Sequence, residues 1–217
     1  MWKTYSNSLR QGFLFENALD LGCSWGGFSE DLTQKWIFNR LVGVDYNQET
    51  LDVFQKNFSS KPNLSVETLC KGVGDDDFCR FVPKESLDLI YSRALFWVCS
   101  KETTRKTFEN IVKTIKPTGT VLLVNSFIKK RYLEGPQTAF KNAKDRAWAF
   151  DELKEMIIST GLADKCKNVN FYCSDSRCYE IIAGNFDCFT ELPYPVYRLK
   201  PFNGFIEPRS VYPTHRL

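Results

Sequence analysis

Two acidic side chains and a glycine-rich turn carry the clearest chemical signal in the sequence. Asp20 opens the turn Asp-Leu-Gly-Cys-Ser-Trp-Gly-Gly, in which Gly22, Ser24 and Gly26 fall at alternate positions, and Asp45 ends the next apolar run. Glycines let a backbone approach a ligand closely and turn sharply into a helix. A carboxylate at the position of Asp45 can accept hydrogen bonds from both hydroxyls of a ribose. The pattern therefore predicts a site for a nucleoside-bearing cofactor.

The charge of the turn indicates which cofactor it suits. A dinucleotide site has the spacing GxGxxG and cradles a pyrophosphate on bare amides, whereas this turn begins with a carboxylate. Asp20 would repel a pyrophosphate. S-adenosylmethionine instead presents an ammonium and a sulfonium against a single carboxylate, so an acidic neighbour is electrostatically favourable. Spacing and charge together favour S-adenosylmethionine.

Short apolar runs that alternate with segments of helical period must position these residues. The runs predict seven strands, at residues 17–21, 41–45, 64–69, 87–91, 121–124, 168–173 and 179–183. Alternating strands and helices favour parallel neighbours with right-handed crossovers. We therefore predict an α/β fold: a Rossmann-like, seven-stranded, mostly parallel sheet with helices on both faces, in a single domain. Ligands of such sheets bind beyond the carboxyl ends of the strands.

Capping residues predict where several helices begin and end. Apolar residues at helical spacing after the glycine turn predict a helix that extends to Trp36. Asn47 and Ser100 are predicted N-caps of two further helices. Pro117 and Gly119 are predicted to end the helix that Ser100 begins.

The domain organisation follows from changes in composition. Residues 1–184 are predicted to form one domain, with a substrate-side insert at 127–148 that carries six basic residues against two acidic ones. This local charge either attracts an anionic acceptor or forms a solvated surface. Residues 185–217, rich in proline and aromatic side chains, are predicted to form an extended C-terminal arm that packs on the domain or covers a substrate or partner.

Overall composition excludes several classes of protein. With 217 residues, 43% of them apolar and a net charge of +3, the chain can bury one core and is no general polyanion binder. Eight cysteines without zinc-type spacing indicate reduced thiols in a cytoplasmic protein, and no metal is expected. The single histidine, His215, argues against a histidine-based catalytic triad. No apolar run is long enough for a signal peptide or a membrane span.

Four landmarks in order along the chain resemble the class I S-adenosylmethionine-dependent methyltransferases. They are ALDLGCSWG at 18–26, GVDY at 43–46, SLDLIYS at 86–92 and IKPTGT at 115–120. These correspond to the first glycine motif, the acidic ribose motif, the fourth strand and the proline-glycine turn of that family. Four such landmarks are far more specific than a lone glycine loop.

The resemblance implies a cofactor role for several residues. They are Asp20, Gly22 and Ser24 around the methionine portion, Asp45 on the ribose, Tyr46 beside the adenine, one of Asp75, Asp76 or Asp77 at the adenine amino group, and Ser92 on the floor. The triple aspartate is equally consistent with a solvated loop. Ser24 and Thr118 stand where the family usually has glycine, which leaves open a non-catalytic partner subunit that binds the cofactor.

The acceptor is predicted from the segment after the fourth strand. Residues 92–98, SRALFWV, are similar to the S-x-x-x-L-H-W-V run of the trans-aconitate and ubiquinone-biosynthesis methyltransferases, with Phe96 where that run often has histidine. Without a histidine base, an amine, a thiolate or a carboxylate oxygen is easier to methylate than an aliphatic hydroxyl. We assign Arg93, Trp97, Lys129 and Tyr132 to a small, preferably anionic substrate. Arg93 could instead form a structural ion pair.

Two alternatives to a small-molecule enzyme remain at this point. An RNA or protein methyltransferase could use the basic insert and the aromatic arm for docking, although the chain lacks the sequence signatures of adenine, cytosine and ribose methylation. A non-catalytic cofactor-binding subunit is the other. The protein is expected to be a monomer or a homodimer.

Overall fold

The computed structural model describes residues 7–129, 147–173, 178–192, 195 and 197–199. Its strands are β1 (Phe13–Leu21), β2 (Trp36–Asp45), β3 (Ser65–Cys70), β4 (Leu87–Arg93), β5 (Ile115–Ile128), β6 (Val169–Cys173), β7 (Cys178–Gly184) and β8 (Tyr197–Leu199). Its helices are α1 (Gly27–Thr33), α2 (Gln48–Phe58), α3 (Lys101–Thr114), α4 (Phe150–Ser159) and α5 (Leu162–Lys165). One-turn 3₁₀ helices lie at Phe78–Arg80 and Leu95–Trp97.

All eight strands form one sheet in the order β3-β2-β1-β4-β5-β7-β6-β8. The five strands from β3 to β5 are parallel, and β7, β6 and β8 continue the sheet with antiparallel pairs. The predicted class, an α/β fold with a mostly parallel Rossmann-like sheet, is confirmed. The predicted count of seven strands is wrong by one, because Tyr197–Leu199 of the C-terminal arm pairs with the edge of β6.

Helices cover both faces of the sheet. One apolar cluster joins the sheet to α3, α4 and α5, and the other joins it to α1 and α2. Parallel strands connected by crossover helices bury both faces, which explains why β4 and β5 are almost continuously apolar. The carboxyl ends of β1, β2 and β4 consequently lie next to one another at one edge, where the predicted site residues belong.

The predicted N-caps are confirmed, but two predicted helix ends are wrong. The Asn47 side chain accepts hydrogen bonds from the N–H groups of Glu49 and Thr50. The Ser100 hydroxyl accepts one from Thr103. Both match the usual geometry of a polar N-cap.

Trp36 belongs to a strand rather than to the helix before it. The helix α1 ends at Thr33, and the Trp36 ring is buried at the start of β2, 5.1 Å from the ring of Phe15 and 5.9 Å from that of Phe189. An apolar residue that starts a buried strand can fall by chance on the helical period of the preceding segment. Phe189, from the arm, is 4% exposed, so this part of the arm packs on the sheet.

Pro117 and Gly119 lie inside β5, and the preceding helix already ends at Thr114. The strand register shifts between Leu87 and Leu89 of the neighbouring β4, so this part of β5 is a bulge in the ladder. A proline is tolerated there because the bulged residues need no ladder hydrogen bond.

None of the helices in the described part of the chain has the length and apolar character needed to cross a bilayer.

Candidate cofactor site

The glycine turn after β1 is fastened to the end of β2. The N–H groups of Gly22 and Cys23 donate to the carbonyl of Val44 at 2.8 and 3.0 Å. Gly22, Ser24 and Gly26 all have positive φ angles, of 68, 50 and 93°. Glycine adopts this region freely, whereas serine does so at some cost. Ser24 therefore keeps the backbone shape that a glycine would give at this position.

Close packing beneath the turn explains the glycine at position 26. A Cβ atom built on Gly26 would lie 2.4 Å from Cε2 of Phe58, on the inner face of α2. On the other side, a Cβ on Gly22 would lie 2.6 Å from Cδ1 of Leu95. The missing side chains at Gly22 and Gly26 therefore allow Leu95 and Phe58 to pack directly against the backbone of the turn.

Asp45 links this turn to the loop after β2. Its Oδ2 accepts a hydrogen bond from the N–H of Ser24 and its Oδ1 accepts one from the N–H of Asn47, both at 3.0 Å. Two N–H donors hold the carboxylate in one orientation at the half-buried edge of the sheet. Each carboxylate oxygen has a second lone pair, so both can accept a further hydrogen bond from a ligand hydroxyl.

Asp20 is buried beneath the same turn, with 2% of its surface exposed. The Ser29 hydroxyl, on α1, donates to Oδ2 of Asp20 at 2.6 Å and lies 2.5 Å from the Tyr91 hydroxyl on β4. Burial raises the pKa of Asp20 to about 7, Ser29 opposes this rise, and the charge of Asp45 adds to it. The charge of Asp45 therefore acts on Asp20, and both side chains lie next to the glycine turn.

The side chains predicted around the adenine lie along the adjacent loops. Tyr46 is 81% exposed beside Cys70, whose thiol lies 3.5 Å from the Tyr46 carbonyl. Asp75 accepts the N–H of Gly72 at 3.0 Å and so closes a turn after β3. The other two aspartates form ion pairs, Asp76 with Lys106 at 3.3 Å and Asp77 with Lys71 at 3.0 Å. Asp75 is thus the one of the three that no lysine neutralises in the described part of the chain.

Ser92 follows Tyr91 on β4, and Tyr91 pairs with Asp20 on β1. Ser92 is fully buried, and its hydroxyl finds no hydrogen-bond partner among the residues that the structure describes. A buried hydroxyl left in this state is unfavourable by about 1–3 kcal/mol, so its position at the floor suits a polar ligand group. Asp45 beside the glycine turn offers acceptor oxygens and Ser92 offers a hydroxyl that is unpartnered within the described ranges, and together they supply the donor and acceptor chemistry that a nucleoside-bearing cofactor requires.

The predicted substrate residues are more scattered. The Arg93 guanidinium lies 3.6 Å from the Asp31 carboxylate and over the ring of Phe28, both on α1. This contact is the structural ion pair that we gave above as the alternative to substrate binding by Arg93. Trp97 lies in the 3₁₀ turn after β4, and Lys129 lies just beyond β5, 2% exposed, with its Nζ 5.0 Å from the centre of the Tyr179 ring. Tyr132 lies outside the described residues.

Sequence reasoning missed Ser29 and Tyr91 as partners of Asp20. Ser29 is separated from Asp20 by 9 positions and Tyr91 from Ser29 by 62. One signal was present: Ser29 falls on the apolar face of α1 next to Phe28, and a small hydroxyl in such a place usually serves a buried polar partner.

Comparisons with known proteins give the kind of domain and the fold. Residues 18–119 match a family model described as a methyltransferase domain. A malonyl-[acyl-carrier protein] O-methyltransferase from Ilyobacter polytropus is 28% identical over 119 residues, which are 54% of this chain and 42% of that protein. This chain therefore matches less than half the length of that curated relative.

Solved structures share the fold at low sequence identity. A TehB-like S-adenosylmethionine-dependent methyltransferase from Corynebacterium glutamicum superposes with a TM-score of 0.52 at 15% identity, covering 79% of this chain and 80% of that one. The N-methyltransferase NodS from Bradyrhizobium japonicum gives a TM-score of 0.54 at 16% identity, covering 85% and 91%. The cofactor of this class is S-adenosylmethionine, as the charge of the turn predicts. Residues 18–119 thus match a methyltransferase domain, and the sheet that they belong to has the fold of the class I S-adenosylmethionine-dependent methyltransferases.

Proposed function

We propose that this protein transfers a methyl group from S-adenosylmethionine to a small, anionic acceptor. The observation that carries the cofactor half of this proposal is the fixed Asp45 carboxylate, held by Ser24 and Asn47 at the mouth of a glycine turn. When bound, S-adenosylmethionine supplies a methyl group activated by its sulfonium charge.

Different residues around the turn bind different parts of the cofactor. Asp45 accepts the ribose hydroxyls, Tyr46 covers the adenine from the exposed side, and Asp75 receives the adenine amino group. Gly22 and Ser24 let the backbone run close to the methionine portion, and the Ser92 hydroxyl donates to a polar group of it. Asp20 provides negative charge beneath the sulfonium, where the low dielectric of the buried site strengthens the attraction.

The position of Lys129 supports the proposal that the acceptor is anionic. This residue lies just past the carboxyl end of β5, packed on the Tyr179 ring. We assign the acceptor carboxylate to Lys129 because it is a buried cation next to the carboxyl end of β5. The relative named for malonyl-[acyl-carrier protein] O-methylation supports this choice, because a malonyl thioester carries a free carboxylate. A carboxylate oxygen is nucleophilic without a general base, which suits a chain with a single histidine at 215.

Isothermal titration calorimetry with S-adenosylmethionine and S-adenosylhomocysteine tests the cofactor site. Asp45→Asn should weaken both ligands by about 10- to 100-fold, because hydrogen bonds to a charged acceptor are worth about 1.5–3 kcal/mol. Glu67→Gln is the matched control: this carboxylate lies on the neighbouring β3 but is paired with Arg40 at 2.7 Å. Equal affinities for Asp45→Asn and the wild type would overturn the assignment.

A methyl-transfer assay with labelled cofactor tests the acceptor. Short dicarboxylates and carboxylated thioesters should be methylated in preference to neutral amines and thiols. Lys129→Met should raise the KM for the anionic acceptors. Lys101→Met is its control, because Lys101 also stacks on an aromatic ring, that of Trp148, but lies on α3 rather than after β5. Transfer to RNA or to a protein instead would favour a macromolecular acceptor, and binding without transfer to any acceptor would favour a partner subunit.

A further inference from the structure

A chain of three hydroxyl-bearing groups runs from beneath the glycine turn into the core. It consists of the Asp20 carboxyl group, the Ser29 hydroxyl and the Tyr91 hydroxyl, at successive distances of 2.6 and 2.5 Å. Each belongs to a different element, β1, α1 and β4. Asp20 and Ser29 are both almost fully buried. These three side chains are therefore shielded from bulk water, and the packing of α1 on the sheet fixes their relative positions.

These three hydrogen-bonded side chains can accommodate Asp20 in either its ionised or its protonated form. When Asp20 is ionised, Tyr91 donates to Ser29 and Ser29 donates to Asp20. When Asp20 is neutral, both hydrogen bonds reverse, so that Asp20 donates to Ser29 and Ser29 donates to Tyr91. Hydroxyl hydrogens rotate freely enough to allow either direction. The geometry thus accommodates both the ionised and the neutral form of the Asp20 carboxyl group.

The charges that face Asp20 favour the neutral state while no cation is present. Asp45 lies at the end of β2 and repels a charge on Asp20. The Cys23 thiol in the turn and the Tyr91 hydroxyl on β4 have raised pKa values, mainly from burial, and so remain uncharged. The nearest arginine along β4, Arg93, is turned toward Asp31 on α1. Burial accordingly raises the pKa of Asp20 to about 7.

We infer that Asp20 is a proton-linked specificity residue: it keeps its proton while the turn is empty and releases it to solvent when a sulfonium occupies the turn. This inference rests on the proposed cofactor. At pH 6 S-adenosylmethionine has a net charge of +1, whereas S-adenosylhomocysteine is neutral overall. Both ligands carry the ammonium and the carboxylate, but only the first adds a sulfonium, so it gains more from an ionised Asp20. The site would thereby favour the methyl donor over the spent product.

The proton balance can be measured directly. Calorimetric titrations at pH 6 in two buffers of different ionisation enthalpy report the number of protons released. We expect close to one proton for S-adenosylmethionine and clearly fewer for S-adenosylhomocysteine. The ligand α-amino groups, with pKa values of about 8, stay protonated at this pH and do not contribute. Affinity for S-adenosylmethionine should rise about five- to tenfold between pH 6 and pH 7.5.

Variants separate Asp20 from other titrating groups. Asp20→Asn should abolish both the proton release and the pH dependence of the donor affinity. Ser29→Ala should retain them but move the midpoint to higher pH, because it removes a hydrogen bond that favours the ionised carboxyl group. Thr33→Ala, which removes a half-buried hydroxyl from the same helix that bonds to Glu30 and Lys61 rather than to Asp20, is the control.

The outcomes distinguish this inference from the proposed function. If wild-type protein binds both ligands and releases the same number of protons with each, the role of Asp20 is overturned and the cofactor assignment stands. If it binds neither ligand, the proposed function fails and this inference fails with it. Should Asp20→Asn not fold, the two-buffer measurement on the wild type and on Ser29→Ala still decides the question.

Discussion

Carboxylates at the two ends of the parallel strands have different partners. At the carboxyl ends, Asp20 and Asp45 accept hydrogen bonds from uncharged hydroxyl and N–H groups. Near the amino end of β4, Asp88 is paired with Lys116 at 2.6 Å and also accepts the N–H of Asn17. A carboxyl group beside a lysine is already paired with a charge of the protein, whereas one held only by uncharged donors has no such counter-charge and is available to a ligand. We therefore call the edge at the carboxyl ends, with Asp20 and Asp45, the binding edge, and the edge at the amino ends, with Asp88, the structural edge.

Asp20→Asn should produce the largest change, in the pH dependence of stability. Between about pH 4 and pH 7 the carboxyl group of the unfolded chain loses its proton while the buried one, with its pKa raised to about 7, keeps it. The free energy of unfolding of the wild type should therefore fall as the pH rises through this window, by up to about 4 kcal/mol. Urea unfolding at pH 5 and pH 8 checks this. A stability difference between variant and wild type that is the same at both pH values would contradict it.

Gly26→Ala should come next, because it strains the binding edge in two ways. Alanine disfavours the φ of 93°, and its Cβ would collide with Phe58. We expect a loss of about 2–4 kcal/mol in thermal or urea unfolding, together with weaker cofactor binding. Gly161→Ala is the matched control, since its φ is 82° but only Val112, at 3.9 Å, lies near the new Cβ. That variant should lose about 1 kcal/mol, and equal losses at both sites would show that packing beneath the turn is unimportant.

Lys116→Met tests the structural edge. Asp88 would retain the Asn17 N–H but lose its counter-charge, so stability should fall by about 1 kcal/mol. Affinity for S-adenosylmethionine should be unchanged, because this ion pair lies at the opposite end of the strands. A drop in affinity comparable with that of an Asp45 variant would remove the distinction between the two edges.

Glu67→Gln should have the smallest effect, with a pH dependence of opposite sign to that of Asp20. The hydrogen bonds from Arg40 lower the pKa of Glu67, so its contribution to stability is present above pH 5 and is lost as the carboxylate becomes protonated in acid. Since the pair is largely exposed, we expect less than about 1 kcal/mol. Unfolding midpoints measured at pH 7 and pH 3.5 should differ less in the variant than in the wild type.

Local sequence signals predicted local structure well. The N-caps Asn47 and Ser100 and the glycine turn depend on neighbours within a few residues, and all were identified correctly. The parallel sheet followed from alternation along the chain. The end of α1 was wrong because Trp36 satisfies both a helical period and the start of a buried strand. The eighth strand was missed because a three-residue edge strand has no periodicity to detect.

The site was predicted in outline but not in its charge relationships. The positions of Asp20 and Asp45 at adjacent strand ends follow from a parallel sheet. That Asp20 meets Ser29 and Tyr91, and that Arg93 meets Asp31, depends on how α1 packs across β4. Such contacts join residues distant in sequence, and a single sequence contains no direct information on them.

The distribution of thiols makes the adenine side of the site directly observable. Cys70, beside Tyr46, is the exposed cysteine, whereas two others are half-buried and five are buried. A maleimide fluorophore should therefore attach there first in the natural protein, without removal of the other cysteines. Its emission would report ligand occupancy in a stopped-flow instrument and give association and dissociation rates for donor and product alike.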